Sequence, residues 1–278
     1  MRPHIEFINS KQMPWEYKPI FPIQDNLKYK ILSRDYNTYE TSLLIKYPPG
    51  WKLNNEITLN VDEEFFVLEG AITVNQQKYT ESCYGFFPAG YSRKGFSQSE
   101  GATVLTFFSE KYKNIRIEDT GNLNNLVKYV SLYEEGWDTD YVGIDSPEIA
   151  SSGSRKKLLR TDPANGDQSW LMGIIPSYQE SKVESHPVIQ ECYITKGEIY
   201  GNCGLMVEGS YFWRPRDILH GPYGSKTGCT IFSRAKGGKL IVDYYDLTQP
   251  FQFVENFKPQ IPIEYRNFSK KNVPSKRY

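Results

Sequence analysis

Glu64-Phe65-Phe66-Val67-Leu68-Glu69-Gly70 and Glu191-Cys192-Tyr193-Ile194-Thr195-Lys196-Gly197 share one pattern: an acidic residue, a run rich in apolar residues, then a glycine. They stand 127 residues apart, and the offset is the same from 64 to 191, from 70 to 197 and from 88 to 215. Working outward, Lys30-Ile31-Leu32-Ser33-Arg34-Asp35 falls on Lys157-Leu158-Leu159-Arg160-Thr161-Asp162, and Phe86-Phe87-Pro88 falls on Trp213-Arg214-Pro215. Solenoid repeats run to about 20–50 residues, so this spacing predicts two copies of one domain. The 278 residues suffice for two domains, each able to bury a core without a disulfide or structural metal.

Strand signals dominate both copies. Thr41 to Tyr47 is closed by Pro48-Pro49-Gly50; Glu64 to Leu68 and Ala71 to Val74 read as a hairpin turning at Gly70; Ala102 to Phe108 is a further strand. Trp170 to Ile175, Glu191 to Thr195, Tyr211 to Trp213, Thr230 to Ser233 and Leu240 to Tyr245 repeat the series. Short strands with Gly/Pro turns and little helical periodicity predict an all-β fold, a sandwich or barrel in each half. The abundance of aromatics, 21 Tyr and 15 Phe, agrees. Residues 112–154 read as the connection, with a short helix over Asn122 to Val130 and a Ser/Gly-rich linker from Asp145 to Gly153. The expected domains are therefore 1–145 and 146–278, a boundary that strand exchange between the halves would blur.

Thirty-three basic and 33 acidic residues cancel, so no global field favours nucleic acid or an anionic membrane. The basic tail, Arg266 to Arg277, reads as a solvated and partly disordered end. The four cysteines form no CxxC pair, and there is neither a secretory apolar run nor a stretch of membrane-spanning length. A cytoplasmic protein is the expectation.

The two copies differ in polar chemistry. Glu184-Ser185-His186 precedes Glu191 by a step containing Pro187, and Arg214-Pro215-Arg216-Asp217-Ile218-Leu219-His220 ends on a second histidine. Residues two apart in a strand share a face, so Glu184 and His186 can point the same way. Two imidazoles and one or two carboxylates converging in a barrel suit a first-row divalent metal, although a lone strand histidine is more often an ordinary packed residue. At the equivalent positions the first copy has Ile57, Leu59, Glu64 and Arg93. That substitution of apolar and cationic groups predicts a vestigial site, with Arg93 neutralising Glu64.

These residues resemble the cupin double motif. Glu184-Ser185-His186, four residues, Glu191, five residues and Gly197 look like its first half, with Glu184 in place of the first histidine. Gly209 to Pro215, ending at His220, resembles the second half, and Tyr211-Phe212-Trp213-Arg214-Pro215 leading to His220-Gly221-Pro222 is similar to two-domain cupins (bicupins) of the ChrR-like type. The resemblance implies two tandem jelly-roll (double-stranded β-helix) barrels. It also implies one divalent metal ion (Fe, Mn, Ni or Zn) in the second barrel, with His186, Glu191 and His220 as ligands. Glu184 departs from the motif: it is a fourth ligand, a catalytic acid/base, or points aside. Tyr193, Trp213 and Arg234 are candidate substrate-binding residues, for each of which core packing or a surface ion pair is the competing use.

Two functions follow. A metal with an open position would make the protein a metal-dependent enzyme (a dioxygenase or other oxidoreductase, an isomerase or a lyase) acting on a small oxygenated molecule, with Glu184 as general base if it does not ligate. Four protein ligands would instead close a zinc site and favour a non-catalytic sensor. The expected partner is a small-molecule ligand or substrate, and the expected assembly a monomer or homodimer.

Overall fold

The computed structural model describes residues 2–17, 27–97, 99–110, 123–134, 136–137, 153–246, 251–253 and 256–274. The expected linker, Asp145 to Gly153, lies outside these residues except for Gly153. The chain forms two compact β units, one of residues 1–2 and 14–135, the other of residues 3–13 and 136–278. Residues 3–13, assigned to the first domain on sequence, thus belong to the second.

In the first unit β2 (Lys28–Arg34), β3 (Thr41–Tyr47), β5 (Glu63–Val74), β7 (Cys83–Phe87), β9 (Ala102–Phe108) and β10 (Val127–Ser131) form an antiparallel sheet in the order β10-β7-β5-β9-β3-β2. Two short strands, β4 (Ile57–Thr58) and β8 (Ser92–Arg93), pair apart from it. In the second unit, β1 (Ile5–Asn9), β11 (Ser154–Thr161), β12 (Gln168–Ile174), β15 (Ile189–Gly201), β17 (Ser210–Arg214) and β19 (Cys229–Lys236) take the order β1-β17-β15-β19-β12-β11. The orders match element by element at the sequence offset, except that the edge strand beside β7 comes from after the barrel and the one beside β17 comes from the chain's N-terminal region. The helix expected over Asn122 to Val130 is, in its described residues, a 3-10 turn (Leu123–Asn125) leading into edge strand β10. Pairing with β7 overrides the weak local helical pattern.

The expected hairpin at Gly70 is a bend within one continuous strand. Gly70 has φ +74°, and a Cβ there would lie 2.0 Å from the Gly101 carbonyl oxygen; Gly197 has φ +78°, with the corresponding clash at Gly228. Only glycine lets the long strand turn this corner while its backbone touches the neighbouring loop. Beyond the bend β5 pairs with β6 (Gln77–Thr80) and β15 with β16 (Gly204–Val207). The tail is also better anchored than expected. A 3-10 helix spans Ile263–Phe268, Ser269 Oγ donates to the Phe7 carbonyl at 2.5 Å, and Asn272 Nδ2 donates to the Leu205 carbonyl at 2.8 Å.

The repeat explains why one barrel is filled and the other hollow. Phe65, Tyr79 and Tyr47 occupy the first interior where Cys192, Met206 and Ile174 stand in the second. Phe65 packs edge-on against Tyr79 and Phe87, with centroids 5.0 and 5.1 Å away, and Gly85 faces it because a Cβ there would lie 2.5 Å from its ring. What remains beside Glu63 and Arg93 is a void of about 10 Å³, against about 560 Å³ in the second barrel.

Arg93 does neutralise a carboxylate, but its partner is Glu63 (Nε to Oε2, 2.7 Å), not Glu64. Glu64 points to the opposite face of β5 and accepts from the Tyr84 hydroxyl at 2.8 Å. Both members of the Arg93–Glu63 pair are buried. Breaking a buried pair by removing one partner costs about 3–5 kcal/mol, whereas replacing both with apolar groups is often close to neutral. Arg93→Leu is therefore expected to destabilise the first unit by about that amount, and Arg93→Met with Glu63→Leu to recover most of it, in denaturant unfolding of the full chain. Equal losses in the single and double variants would contradict the pairing.

Candidate metal centre

Glu184 lies on β14 (Lys182–Ser185), which pairs with β20 (Asp243–Asp246), and His186 follows directly after β14. Glu184 and His220 exchange both backbone hydrogen bonds, at 2.8 and 2.9 Å, in an isolated antiparallel bridge. Ile57 on β4 and Arg93 on β8 make the equivalent pairing in the first unit. The alignment of His220 with Arg93 is therefore a structural equivalence as well as a sequence one.

Each imidazole has one nitrogen committed. His186 Nδ1 lies 2.9 Å from the Ile241 carbonyl oxygen, and His220 Nδ1 lies 2.8 Å from that of Ile218. A carbonyl only accepts, so both Nδ1 atoms carry the proton and both Nε2 atoms present lone pairs. These point at each other across 3.2 Å, with Glu184 Oε1 3.1 Å from His220 Nε2 and 3.7 Å from His186 Nε2. Three acceptors thus converge with His186 and His220 buried. Such an arrangement could hold a cation at its centre: coordination polyhedra with bonds of about 2.1 Å have edges of about 3.0–3.4 Å, which two of the three separations match while the His186–Glu184 separation is longer.

The electrostatics agree. Burial works against charge on Glu184, but the His186 and His220 imidazoles beside it hold its carboxyl down at about 2. Burial and the nearby Arg214 guanidinium push His220 below the ordinary histidine range, against the pull of Glu184. An ionised carboxylate and a neutral imidazole are the states that a metal requires. Beneath the site, buried Arg214 is held by Glu6 from β1 (Nε to Oε2, 2.9 Å), by Gln190 and by the Tyr223 hydroxyl at 3.0 Å. Burial opposes the Glu6 charge, but Arg214 and hydrogen bonds from His4 and Arg214 bring its carboxyl to about 2.

Glu191, expected as a ligand, is not at this cluster. It points to the other face of β15, where it accepts from the Tyr211 hydroxyl at 2.5 Å and from Arg234 Nη1 at 2.7 Å. Tyr193 and Trp213 share its parity. Tyr193 bonds Ser10 Oγ at 2.9 Å, Trp213 pairs with Ile5 and Glu191 in the ladder, and neither they nor Arg234 line the cavity. The physical reason is a one-residue register error. Gln190, Cys192 and Ile194 face inward, so the motif's glutamate position is Gln190, four residues after His186 rather than five. The apolar alternation Cys192, Ile194 was the available signal. Its counterpart in the first unit is Glu63, again one residue from the expected Glu64. Sequence reading also missed Glu180, which lines the cavity, accepting from the Tyr178 hydroxyl and, at 3.0 Å, from the Tyr223 N–H.

Residues 6–241 match the family model described as a domain of unknown function, DUF4437. The chain belongs to this family. No curated protein matches its sequence. As a DUF4437 protein it is similar in structure to a candidate dioxygenase from Nostoc punctiforme (17% identity, TM-score 0.78, covering 88% of this chain and 87% of that one). It is also similar to a candidate glyoxylate-induced protein from Pseudomonas aeruginosa (13%, 0.60, 91% and 92%) and to oxalate decarboxylase from Bacillus subtilis (13%, 0.52, 86% and 78%). At these identities the likeness is one of fold: this DUF4437 chain is an all-β pair of cupin-type barrels.

Truncating one of three ligands removes about a third of the donor set. Purified wild-type protein is expected to carry about one metal ion per chain, His220→Ala to lose it and Glu191→Gln to keep it, by elemental analysis. Loss in Glu191→Gln with retention in His220→Ala would overturn the assignment.

Proposed function

We propose that the second barrel is the active site of a metal-dependent enzyme of the dioxygenase type, with Glu184, His186 and His220 holding the ion. The observation that carries this is the convergence of two Nδ1-anchored imidazoles and one carboxylate. A two-histidine, one-carboxylate set with open positions is the ligand pattern of non-haem Fe(II) oxygenases. Bound there, a ferrous ion would supply dioxygen activation and a Lewis-acidic anchor for an oxygenated substrate. The likeness to the candidate dioxygenase of Nostoc punctiforme supports the same reading, and iron is favoured over manganese, nickel or zinc on this ground.

The chain's own residues supply the rest. The Ile218 and Ile241 carbonyls fix the two imidazoles in tautomer and orientation, the role that outer hydrogen bonds play at metal sites. Part of the cavity wall is apolar, formed by Ile194, Ile199, Met206, Phe212 and Ile231, while Arg155, Lys156 and Lys239 also line it, and its volume of about 560 Å³ falls in the range of small-molecule sites. The substrate is a small molecule with a chelating oxygen head and an apolar body. Glu184 acts as ligand, which removes it from the role of general base.

The alternative is a non-catalytic binding or sensing cupin of the ChrR-like kind, which a closed four-ligand zinc site would favour. With Glu191 committed to Arg234 and Tyr211, the described residues offer three donors, and this supports the open site. The test is nitric oxide, a stand-in for dioxygen, added anaerobically to protein loaded with Fe(II). An S = 3/2 electron paramagnetic resonance signal is expected in wild type and not in Glu184→Ala. Protein that binds zinc in preference and gives no such signal with iron would contradict the reading.

A further inference from the structure

Gln190 stands where the motif of the second barrel would carry a glutamate, and it lines the same cavity as Glu184 and His186. On β15 it lies between two cross-strand neighbours that share its face, Arg214 on β17 and Ala235 on β19. Ala235 has no polar side-chain atom to offer. Arg214 does, and its Nη1 donates to Gln190 Oε1. Among the described residues this is the one hydrogen bond of the Gln190 side chain.

A guanidinium only donates, so the amide must turn its carbonyl oxygen to Arg214 and its NH2 away from it. Arg214 is itself held fast. Glu6 on β1 accepts from Nε at 2.9 Å and also from Nη2, which donates to the Tyr223 hydroxyl at 3.0 Å as well. The Phe212 ring lies 4.3 Å from the guanidinium carbon. A charged donor locked in this way aims the amide of Gln190, much as the Ile218 and Ile241 carbonyls aim the imidazoles.

The internal repeat indicates what the NH2 is aimed at. The counterparts of Gln190 and His220 in the first unit are Glu63 and Arg93, and there the two side chains meet, Arg93 Nε donating to Glu63 Oε2 at 2.7 Å. A side chain at the Gln190 position therefore reaches toward the His220 position. An ion held by Glu184, His186 and His220 would have Gln190 beside it, with the oxygen that might have ligated spent on Arg214 and the two N–H donors left for another acceptor.

We propose that Gln190 is a substrate-binding residue of the second barrel, its amide N–H donating to an oxygen of the substrate that is chelated at the metal centre. This rests on the metal reading above and narrows its substrate class. The chelating oxygen beside Gln190 is an acceptor (a carboxylate, an enolate or a carbonyl), because an amide NH2 has nothing to offer a hydroxyl that must donate. A glutamate at this place would repel such an oxygen or take its coordination position. Glutamine leaves that position to the substrate.

The test uses full-length protein loaded anaerobically with Fe(II), and 4-nitrocatechol, a coloured bidentate ligand whose ionised oxygens accept, at one fixed pH. Wild type, Gln190→Glu and Gln190→Leu are compared after their metal content has been measured. Gln190→Glu keeps the size of the side chain and an acceptor for Arg214 while removing the NH2; Gln190→Leu removes the NH2 without adding charge. Besides the triad, the charged side chains lining the cavity, Arg155, Lys156, Lys239 and Glu180, are the same in all three proteins. All three are expected to carry the metal. Both variants should bind the probe about tenfold more weakly than wild type. The absorption band of the bound probe should move to longer wavelength in both, since a donor on the catecholate oxygen stabilises its electron pair. Wild-type affinity and an unmoved band in either variant, with metal intact, would overturn the proposal. Loss of metal from folded Gln190→Leu would also overturn it, by making Gln190 a ligand. Wild type that takes up no metal would overturn the metal reading and this proposal with it, so metal content tells the two failures apart.

Discussion

A charged side chain inside a β-barrel is costly unless a partner compensates it there, because it gives up much of its hydration. Both barrels of this chain obey that constraint at one equivalent place, where the backbone pairing of Ile57 with Arg93 matches that of Glu184 with His220. In the first, Arg93 brings its own positive charge to Glu63. In the second, Glu184 and two imidazole lone pairs converge with the neighbouring guanidinium, Arg214, already spent on Glu6. The divalent ion proposed for the second site would take the electrostatic role that Arg93 fills at the first.

Packing follows from the same division. A barrel closed by an ion pair can be filled to the axis, and Phe65, Tyr79 and Tyr47 do so, leaving about 10 Å³. A barrel that serves a metal must keep room for what the metal binds, and Cys192, Met206 and Ile174 at the same positions leave about 560 Å³. The histidines are then aimed by the Ile218 and Ile241 carbonyls, so that the cavity wall also sets the tautomers. Function here is a matter of which interior side chains were kept small and which nitrogens were left with lone pairs.

Much of this was legible in the sequence. The offset between Gly70 and Gly197 placed two equivalent strands, although the hairpin read at Gly70 is a corner within one strand, where only glycine accepts the backbone. His186, His220 and Glu184 stood out because the first copy has Leu59, Arg93 and Ile57 in their places. Strand phase was harder to read. Pro187 leaves the start of β15 ambiguous by one residue, and a slip of one turns every side chain to the other face. That slip exchanged Gln190 for Glu191 and Glu63 for Glu64, and carried Tyr193, Trp213 and Arg234 into a pocket they do not line. Glu180 carried no motif at all. Its place in the cavity comes from the backbone of Tyr223, which only the fold brings beside it.

The central claim is that one ion per chain sits among Glu184, His186 and His220 and none in the first barrel. Anomalous diffraction from crystals of metal-loaded protein, collected at the absorption edge of the bound metal, tests it most directly. The account predicts a single peak within bonding distance of His186 Nε2, His220 Nε2 and a Glu184 oxygen, with no peak beside Arg93. A peak at Glu191, or ordered imidazoles with no peak between them under saturating metal, would contradict it.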